Sequence, residues 1–352
     1  MSVIPDFLPS LDSLAAQQAA QRLDRLTKPP GSLGRLERLA VELAAIQGQA
    51  LPQVSPPAML VFAADHGVAA EGVSAFPAEV TAQMVANFAA GGAAINVFAR
   101  QHGAHLEVID VGVATPLPEG TADSPRLVDE RVRLGTANML HEDAMSRDEA
   151  LAAMAAGRRA AERAAAAGCR SLIVGEMGIA NTTASSALLA ALTGASVEGL
   201  VGPGTGLDAA GLAHKRDVIE RTLAARRPDP ADPLEALARV GGLEIAAMAG
   251  AFLGGATHRL PLIVDGFIAT VAALVACRLR PSLRDYLLFG HRSREPGHEG
   301  ALAALEARPL VDFELRLGEG TGAALAFPLL DSACRLLVEM ATFDDIGIDA
   351  AP

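Results

Sequence analysis

A single carboxylate near the C-terminus, Glu319, stands between two glycines where a helical pattern begins. Gly318 and Gly320 leave the backbone uncovered, so a ligand can approach it closely. The apolar run 323–330 predicts a buried wall behind Glu319, and burial raises the pKa of a carboxyl group until it accepts protons near neutral pH. An equally supported interpretation is that Glu319 caps a helix N-terminus, where the helix dipole favours an acid.

Four more carboxylates follow apolar runs that predict strands. Asp65, Asp110, Glu176 and Asp265 each end such a run, and a glycine follows each within two residues. In open parallel sheets, ligands bind beyond the carboxyl ends of the strands. Acids gathered there suit hydroxyls, ring N–H groups or a developing positive charge. For Asp65 and Asp110, capping of the next helix explains the pattern equally well.

Two further segments could hold an anion. The glycine-rich segment 202–206 (GPGTG) precedes a helical pattern that contains Lys215, and such turns direct backbone N–H groups at an anion. It matches neither the Walker A loop nor the dinucleotide fingerprint. The segment 289–294 (FGHRSR) offers a hydroxyl and cations after a short strand. Both segments are also compatible with ordinary polar loops.

Patterns for metal binding and covalent catalysis are missing from the sequence. No two histidines stand in HxH or HxxxH spacing, which argues against a metal site. The nucleophile motif G-x-S-x-G is absent. Cys169, Cys277 and Cys334 form no CxxC pair, which predicts free thiols in a reducing compartment.

The elements that must position these residues alternate between short apolar runs and longer alanine-rich helical patterns. This alternation predicts an α/β fold with a doubly wound, mostly parallel, Rossmann-like sheet. The predicted strands are 58–64, 106–113, 171–175, 262–264 and 286–289. The predicted helices between them are 78–101, 147–167, 181–192 and 206–225.

The two ends of the chain carry helical patterns of their own, at 10–26, 33–50 and 322–340. They precede the first strand and follow the last one, so we expect them to pack together as a small helical domain. The predicted division is therefore residues 1–50 plus 322–352 for the small domain and 51–321 for a large α/β domain that carries the active site.

Composition sets the class of protein. The 352 residues are 51% hydrophobic, enough for a large core. The 41 acidic and 29 basic residues give a net charge of −12, which argues against a nucleic-acid groove. The first residues lack a signal-peptide pattern, and the apolar stretch 266–277 is too short to span a bilayer. We expect a cytoplasmic protein with no membrane or nucleic-acid partner.

Eight short blocks, in a fixed order between residues 28 and 322, are weak motifs alone and specific together. They are 28–34 (KPPGSLG), 64–68 (ADHGV), 79–84 (EVTAQM), 91–96 (GGAAIN), 175–183 (GEMGIANTT), 202–206 (GPGTG), 264–267 (VDGF) and 317–322 (LGEGTG). With these blocks the chain resembles the nicotinate-nucleotide:dimethylbenzimidazole phosphoribosyltransferase family from about residue 28 to residue 337.

The resemblance implies transfer of a phosphoribosyl group from nicotinate mononucleotide to 5,6-dimethylbenzimidazole, giving α-ribazole 5′-phosphate and nicotinate. In that family the glutamate of the GEGTG block is the general base, which maps onto Glu319, and the displacement inverts the configuration at C1′. Glu176 would lie near the ribose or the reacting bases as a second catalytic residue. The resemblance also implies a homodimer and requires neither a metal nor another cofactor.

The same resemblance implies the substrate contacts. Gln83 is the candidate for contact with dimethylbenzimidazole, although the serine expected near the start of its block is Ala78 here. Lys215 and Ser293 would hold the phosphate. The remaining candidate substrate-binding residues are Gly178, Gly204, Asp265, Leu317 and Gly318.

Two alternatives remain open beside this interpretation. A Rossmann-type oxidoreductase would need G-x-G-x-x-G directly after the first strand, and that strand ends in Asp65-His66-Gly67 instead. A non-catalytic protein that binds a nucleotide or an azole would be expected to have lost Glu319 or the phosphate site. Both are present in the sequence.

Overall fold

The computed structural model describes residues 3–204 and 206–348, and its centre is a six-stranded parallel sheet. The strands are β1 (Pro57–Ala64), β2 (His105–Gly112), β3 (Leu127–Asp129), β4 (Ser171–Met177), β5 (Leu262–Val264) and β6 (Leu287–Phe289). Their spatial order is β3-β2-β1-β4-β5-β6, so the chain winds outward from β1 in both directions. All five pairings are parallel, which confirms the predicted doubly wound α/β class.

Helices cover both faces of this sheet. They are α1 (Ser13–Arg25), α2 (Arg35–Gln47), α3 (Val80–Ala90), α4 (Ala94–His102), α5 (Arg147–Ala166), α6 (Asn181–Thr193), α7 (Ala209–Arg226), α8 (Pro233–Val240), α9 (Leu243–Thr257), α10 (Phe267–Leu279), α11 (Gly297–Ala304) and α12 (Thr321–Glu339). Two apolar clusters, one on each face, hold the layers together.

Three differences from the predicted elements have local causes. The helix predicted at 78–101 is wrong as one element: α3 ends at Gly91, whose φ of 89° is left-handed, and the Asn96 side chain accepts from the Ala93 N–H at the start of α4. The strand β3 was missed because only three residues pair with β2. Helices α8 to α11 were not delimited by the pattern, and α9 and α10 are buried nearly all round, so they lack an amphipathic period.

The terminal segments lie together, beside the sheet. The Thr27 N–H donates to the Ala341 carbonyl at 3.0 Å, and the Phe343 N–H donates to the Arg25 carbonyl at 2.9 Å. Helix α12 packs on α2, and its first half also contacts β4 and β5. The division into a small terminal domain and a large one stays a prediction, because α12 belongs to both neighbourhoods.

Two helical stretches, Val80–His102 and Thr321–Glu339, are long and apolar enough for a membrane span by composition alone. Core helices of soluble proteins pass the same test. The first stretch is interrupted between α3 and α4, and α12 contributes Ala323, Phe327 and Leu330 to the core. These contacts account for the apolar composition through packing inside the fold.

Candidate active site

A cavity of about 280 Å³ opens beyond the carboxyl ends of β4, β5 and β6. This is the edge at which parallel sheets bind ligands. Seven of the ten predicted site residues line it: Glu176, Gly178, Gly204, Asp265, Ser293, Leu317 and Gly318. Lys215 and Glu319 lie directly behind this lining, and Gln83 lies elsewhere. The structure therefore brings residues from distant parts of the sequence to one place.

Glu176 ends β4 and presents its carboxyl group to the cavity. Its Oε2 accepts a hydrogen bond from the Asn181 side chain at the start of α6. Burial, followed by the negative charges of Glu244 and Asp265, raises the pKa of Glu176 to about 8. With this pKa the Glu176 carboxyl group is largely protonated at neutral pH.

A buried histidine–glutamate pair lies close to Glu176. Nε2 of His66, at the end of β1, lies 2.8 Å from Oε1 of Glu244 in the first turn of α9. Burial by itself lowers the pKa of His66, but the adjacent Glu244 carboxylate outweighs it and raises that pKa above the usual value. The Glu244 carboxylate therefore favours the protonated form of His66.

Glu319 is buried, with 5% of its surface exposed, and it precedes α12. Its Oε2 accepts from the Ile95 N–H at 3.2 Å, so it lies at the N-terminus of α4. Glu319 thus does cap a helix N-terminus, but the capped helix is α4 and not α12, which follows Glu319 in sequence. Burial raises the pKa of Glu319, the Ile95 N–H opposes that rise, and the charge of Asp265 adds to it.

The glycines around Glu319 serve internal packing. The predicted approach of a ligand to the backbone at Gly318 and Gly320 stays a prediction. The structure adds a second reason for a glycine at 318, because a Cβ there would overlap Oε1 of Glu176. A Cβ on Gly175 in β4 would overlap the Glu319 carbonyl group. Gly175 and Gly318 carry no side chain because the Glu319 segment lies directly against the end of β4. This contact places Glu176 and Glu319 side by side.

Lys215 is 1% exposed and reaches the cavity wall from α7. Its Nζ donates to Thr182 Oγ1 at 2.8 Å and points at Gly204, where a Cβ would lie 3.3 Å from Nζ. Burial lowers the pKa of Lys215 to about 8, and the Glu295 carboxylate opposes this. A buried ammonium group beside a glycine-rich turn is suited to an anionic group of a ligand.

Ser293 lies on the same side of the cavity, after β6. Its N–H donates to Nδ1 of His298 at 2.8 Å, and the Glu295 N–H donates to its Oγ at 3.3 Å. Burial lowers the pKa of His298 to about 3, so this histidine is a neutral acceptor that fixes the backbone of Ser293. The hydroxyl group is thereby held at the cavity wall.

Several lining residues were not singled out from the sequence. Arg316 donates to the Gly204 carbonyl at 3.0 Å, and Glu295 carries a buried carboxylate oxygen against the same glycine-rich turn. Asn181 and Thr182 belong to the block 175–183, and His291 to the segment 289–294, so their motifs contained the signal. Phe76 and Phe267 add an apolar wall.

Three predicted candidates have other surroundings. Gln83 is exposed on α3 and is not part of the cavity lining. Asp110 accepts from the Gly112 and Val113 N–H groups and from Arg131, and Asp65 accepts from the Ala114 N–H. For Asp65 and Asp110 the structure favours a structural role, in the turns after β1 and β2. Within residues 3–204 and 206–348, no group of three or more His, Cys, Asp or Glu is arranged to hold a metal ion.

The comparisons with known proteins agree with one another. A family model described as phosphoribosyltransferase matches residues 8–348. The nicotinate-nucleotide–dimethylbenzimidazole phosphoribosyltransferase of Azotobacter vinelandii is 58% identical over 338 residues, which are 96% of this chain and 95% of that protein. The protein of the same name from Pseudomonas aeruginosa (strain UCBPP-PA14) is 53% identical over 341 residues, 97% of this chain and 96% of that protein.

A crystal structure of the nicotinate-nucleotide–dimethylbenzimidazole phosphoribosyltransferase from Thermus thermophilus superposes with a TM-score of 0.89 at 51% identity. The superposition covers 96% of this chain and 99% of that one. With matches of this identity over nearly its whole length, the chain belongs to the nicotinate-nucleotide–dimethylbenzimidazole phosphoribosyltransferase family.

Proposed function

We propose that this enzyme transfers the 5-phosphoribosyl group of nicotinate mononucleotide to 5,6-dimethylbenzimidazole by a single inverting displacement. The products are α-ribazole 5′-phosphate, nicotinate and one proton. One observation carries the proposal. Around a single cavity, two adjacent buried acids, Glu176 and Glu319, are combined with the buried cation Lys215 at a glycine-rich turn.

The phosphate end of the nucleotide fits the side of the cavity that holds Lys215, Gly204 and Ser293. A buried ammonium group, backbone N–H groups and a hydroxyl are the donors that a phosphate monoester accepts from. One such site suffices for a single phosphate, so the net charge of −12 does not oppose the binding of this substrate.

The acids suit the other end of the nucleotide. The pyridinium ring of nicotinate mononucleotide is cationic, and positive charge spreads to C1′ of the ribose as the bond to nitrogen breaks. Glu176 lines the cavity, and a cationic ring beside it favours its charged form because opposite charges attract. The Glu176 carboxylate then stabilises the positive charge on the ribose electrostatically. The departing nicotinate takes the bond electrons as a neutral pyridine nitrogen, so no acid is needed to release it.

The incoming base requires a proton acceptor. One ring nitrogen of dimethylbenzimidazole attacks C1′ with its lone pair while the other nitrogen carries a hydrogen. Glu319 accepts that proton, which prevents a second positive charge from building up on the ring. Its raised pKa makes the carboxylate a stronger base than an exposed glutamate. Attack from the face opposite nicotinate gives the α configuration.

Two properties accompany this proposal. We place the enzyme in the cytoplasm, in line with three buried free thiols at Cys169, Cys277 and Cys334. We expect a homodimer, as the family resemblance implies. Gel filtration with light scattering measures the second property directly, and a monomeric mass would contradict it.

The test of the proposal is a chromatographic assay of the purified protein with nicotinate mononucleotide and dimethylbenzimidazole. Equal amounts of nicotinate and α-ribazole phosphate, formed without added metal, are the expected result. Nicotinate without the ribazole product would identify a hydrolase that uses water in place of the base. Binding of dimethylbenzimidazole without turnover would instead identify a non-catalytic azole-binding protein.

A further inference from the structure

We propose that Asp265 is a positioning residue for Glu319: its carboxylate holds the first turn of α12, and the buried His291 ring packs against both Asp265 and that turn. This differs from the substrate contact that the sequence predicted for Asp265. The inference rests on the proposed function only for the catalytic role of Glu319, since the positioning itself is a property of the free protein.

The bonds of the Asp265 carboxylate point into the protein. Asp265 directly follows β5 and is 2% exposed, and its Oδ1 accepts from the Ala323 N–H of α12 at 2.9 Å. The N–H groups of Gly322 and Gly266 also interact with it. One carboxylate thus accepts from the N-cap residue of α10 and from the first turn of α12, where the N–H groups have no partner within their own helix.

His291 closes the other side of this contact. Its Nε2 lies 3.6 Å from Oδ1 of Asp265, and both side chains are buried. The His291 ring also packs on the Cα of Gly322, where a Cβ would overlap the ring. Burial raises the pKa of Asp265, but His291 and the backbone N–H groups oppose that rise and favour the charged carboxylate. The acids Glu176 and Glu319 lie close enough to Asp265 to interact with its charge.

The backbone between this contact and Glu319 is unusual. Gly318, Glu319 and Gly320 have φ angles of 85°, 64° and 88°, so three successive residues are left-handed. A non-glycine residue in that region is strained and persists only when its surroundings hold it in place. Thr321 clamps the N-terminal side through its N–H and hydroxyl, which both donate to the Gly318 carbonyl.

Asp265 provides the clamp on the helix side of the same segment. Its partners, Gly322 and Ala323, follow Glu319 by three and four residues. When these bonds are lost, the first turn of α12 is free to rotate, and the left-handed triplet can relax. The Glu319 carboxylate then leaves its position at the Ile95 N–H, although Glu319 itself is unchanged.

A double-mutant cycle with Asp265→Ala and Glu319→Gln tests this. We expect Asp265→Ala to lower kcat by about tenfold or more and to change the KM for nicotinate mononucleotide by less than about threefold. In the Glu319→Gln background the same change should cost less than about threefold, because the two residues act as one unit. Asp265→Asn, which keeps an acceptor oxygen for the Ala323 N–H, should restore part of kcat.

A large rise in KM together with fully additive losses of kcat would overturn the proposal, because Asp265 would then contact the substrate itself. Asp12→Ala is the matched control. Asp12 also accepts from a backbone N–H, that of Ala15, at the start of α1, far from the cavity. Its removal should leave kcat and KM unchanged.

Hydrogen exchange of the ligand-free protein separates this proposal from the proposed function. Asp265→Ala and His291→Gln should speed exchange in residues 317–324 by about tenfold while peptides from α1 and α5 stay unchanged. Unchanged exchange in 317–324 would overturn the positioning role, even in an enzyme that makes the expected products. Faster exchange in a protein that makes no product would support the positioning role and contradict the proposed function.

Discussion

Oε2 of Glu319 lies 3.2 Å from the N–H of Ile95, the second residue of α4. The carboxylate that is proposed to accept a proton is therefore held at the positive end of a helix that belongs to a distant part of the chain. Burial makes this carboxylate more basic, and the helix end moderates that effect. Its position is fixed by α4 and by the backbone turn that precedes α12.

Glu319→Gln tests the proton-acceptor role. Glutamine keeps an oxygen for the Ile95 N–H, so the fold and the binding of both substrates should be retained. We expect kcat to fall by about 10²-fold or more, which is the usual contribution of a positioned general base. Turnover and calorimetric binding of each substrate measure the two effects separately. Glu314→Gln is the control, because Glu314 is an exposed acid that pairs with Arg294. Near-normal turnover of Glu319→Gln would exclude the proton-acceptor role of Glu319.

Lys215→Met tests the phosphate side of the cavity. Methionine keeps the buried volume but removes the charge, so the KM for nicotinate mononucleotide should rise by about 10- to 100-fold, the value of one charge-assisted hydrogen bond. The KM for dimethylbenzimidazole should change little. Arg221→Gln, an exposed position on the same helix, should behave like the unmodified protein. An unchanged nucleotide KM in Lys215→Met would show that another group holds the phosphate.

The pKa of about 8 for Lys215 gives a second expectation for this residue. Above that pH the ammonium group loses its proton, so Lys215 should contribute a decline of kcat/KM for nicotinate mononucleotide from about pH 8 upward, against the opposite effect of Glu176 ionisation. In Lys215→Arg the guanidinium stays charged throughout this range, and the alkaline decline should disappear. Measurement of both profiles between pH 6 and pH 10 checks this. A decline that persists in Lys215→Arg would assign it to a different group.

Gly175→Ala tests the backbone contact that places the two acids side by side. The new Cβ would overlap the Glu319 carbonyl group, so the Glu319 turn must shift away from β4. We expect kcat to fall by about tenfold or more, since displacements of about 1 Å at a reacting centre have effects of that size or larger. Gly199→Ala is the matched control because a Cβ there meets no atom within 4 Å. Equal kcat in both variants would contradict the proposed importance of this contact.

The sequence predicted most of the cavity because strand-terminal acids and glycine-rich turns are local patterns. The parallel sheet then brings the ends of β4, β5 and β6 together. The sequence did not reveal contacts between residues that lie far apart along the chain. The bond between Glu319 and Ile95 spans 224 residues, and no spacing in the sequence indicates that the acid would cap α4.

Asp265 shows the same limit in the opposite direction. Its type and its place at a strand end indicated a ligand contact, but they also suit a residue that caps two helices. The proposed positioning role rests on the positions of Gly322, Ala323 and His291 around its carboxylate, and the predicted substrate contact stays a prediction. Arg316 and Glu295 were not predicted because each lies just outside a motif, one residue before the block 317–322 and one residue after the segment 289–294.

Glu176→Gln tests how much the burial of the Glu176 charge lowers the thermal stability of the protein. The pKa of Glu176 is raised to about 8 in the folded protein from an ordinary value of 4.5. Between pH 4.5 and pH 8 the unfolded chain binds fewer protons at Glu176 than the folded protein does. The contribution of Glu176 to the free energy of unfolding therefore falls as the pH rises. Glutamine carries no charge to bury, so at pH 8 the variant should have a higher Tm than the unmodified protein, by a few degrees.

The Tm advantage of Glu176→Gln should shrink toward zero as the pH approaches 4.5, because Glu176 is then largely protonated in the folded protein and has no charge to bury. Thermal unfolding at several pH values between 5 and 8.5 measures the trend, with the exposed Glu299→Gln as control. Activity should move in the opposite direction, since the neutral side chain no longer stabilises positive charge on the ribose. A Tm difference that is independent of pH would show that burial does not hold Glu176 in its neutral form.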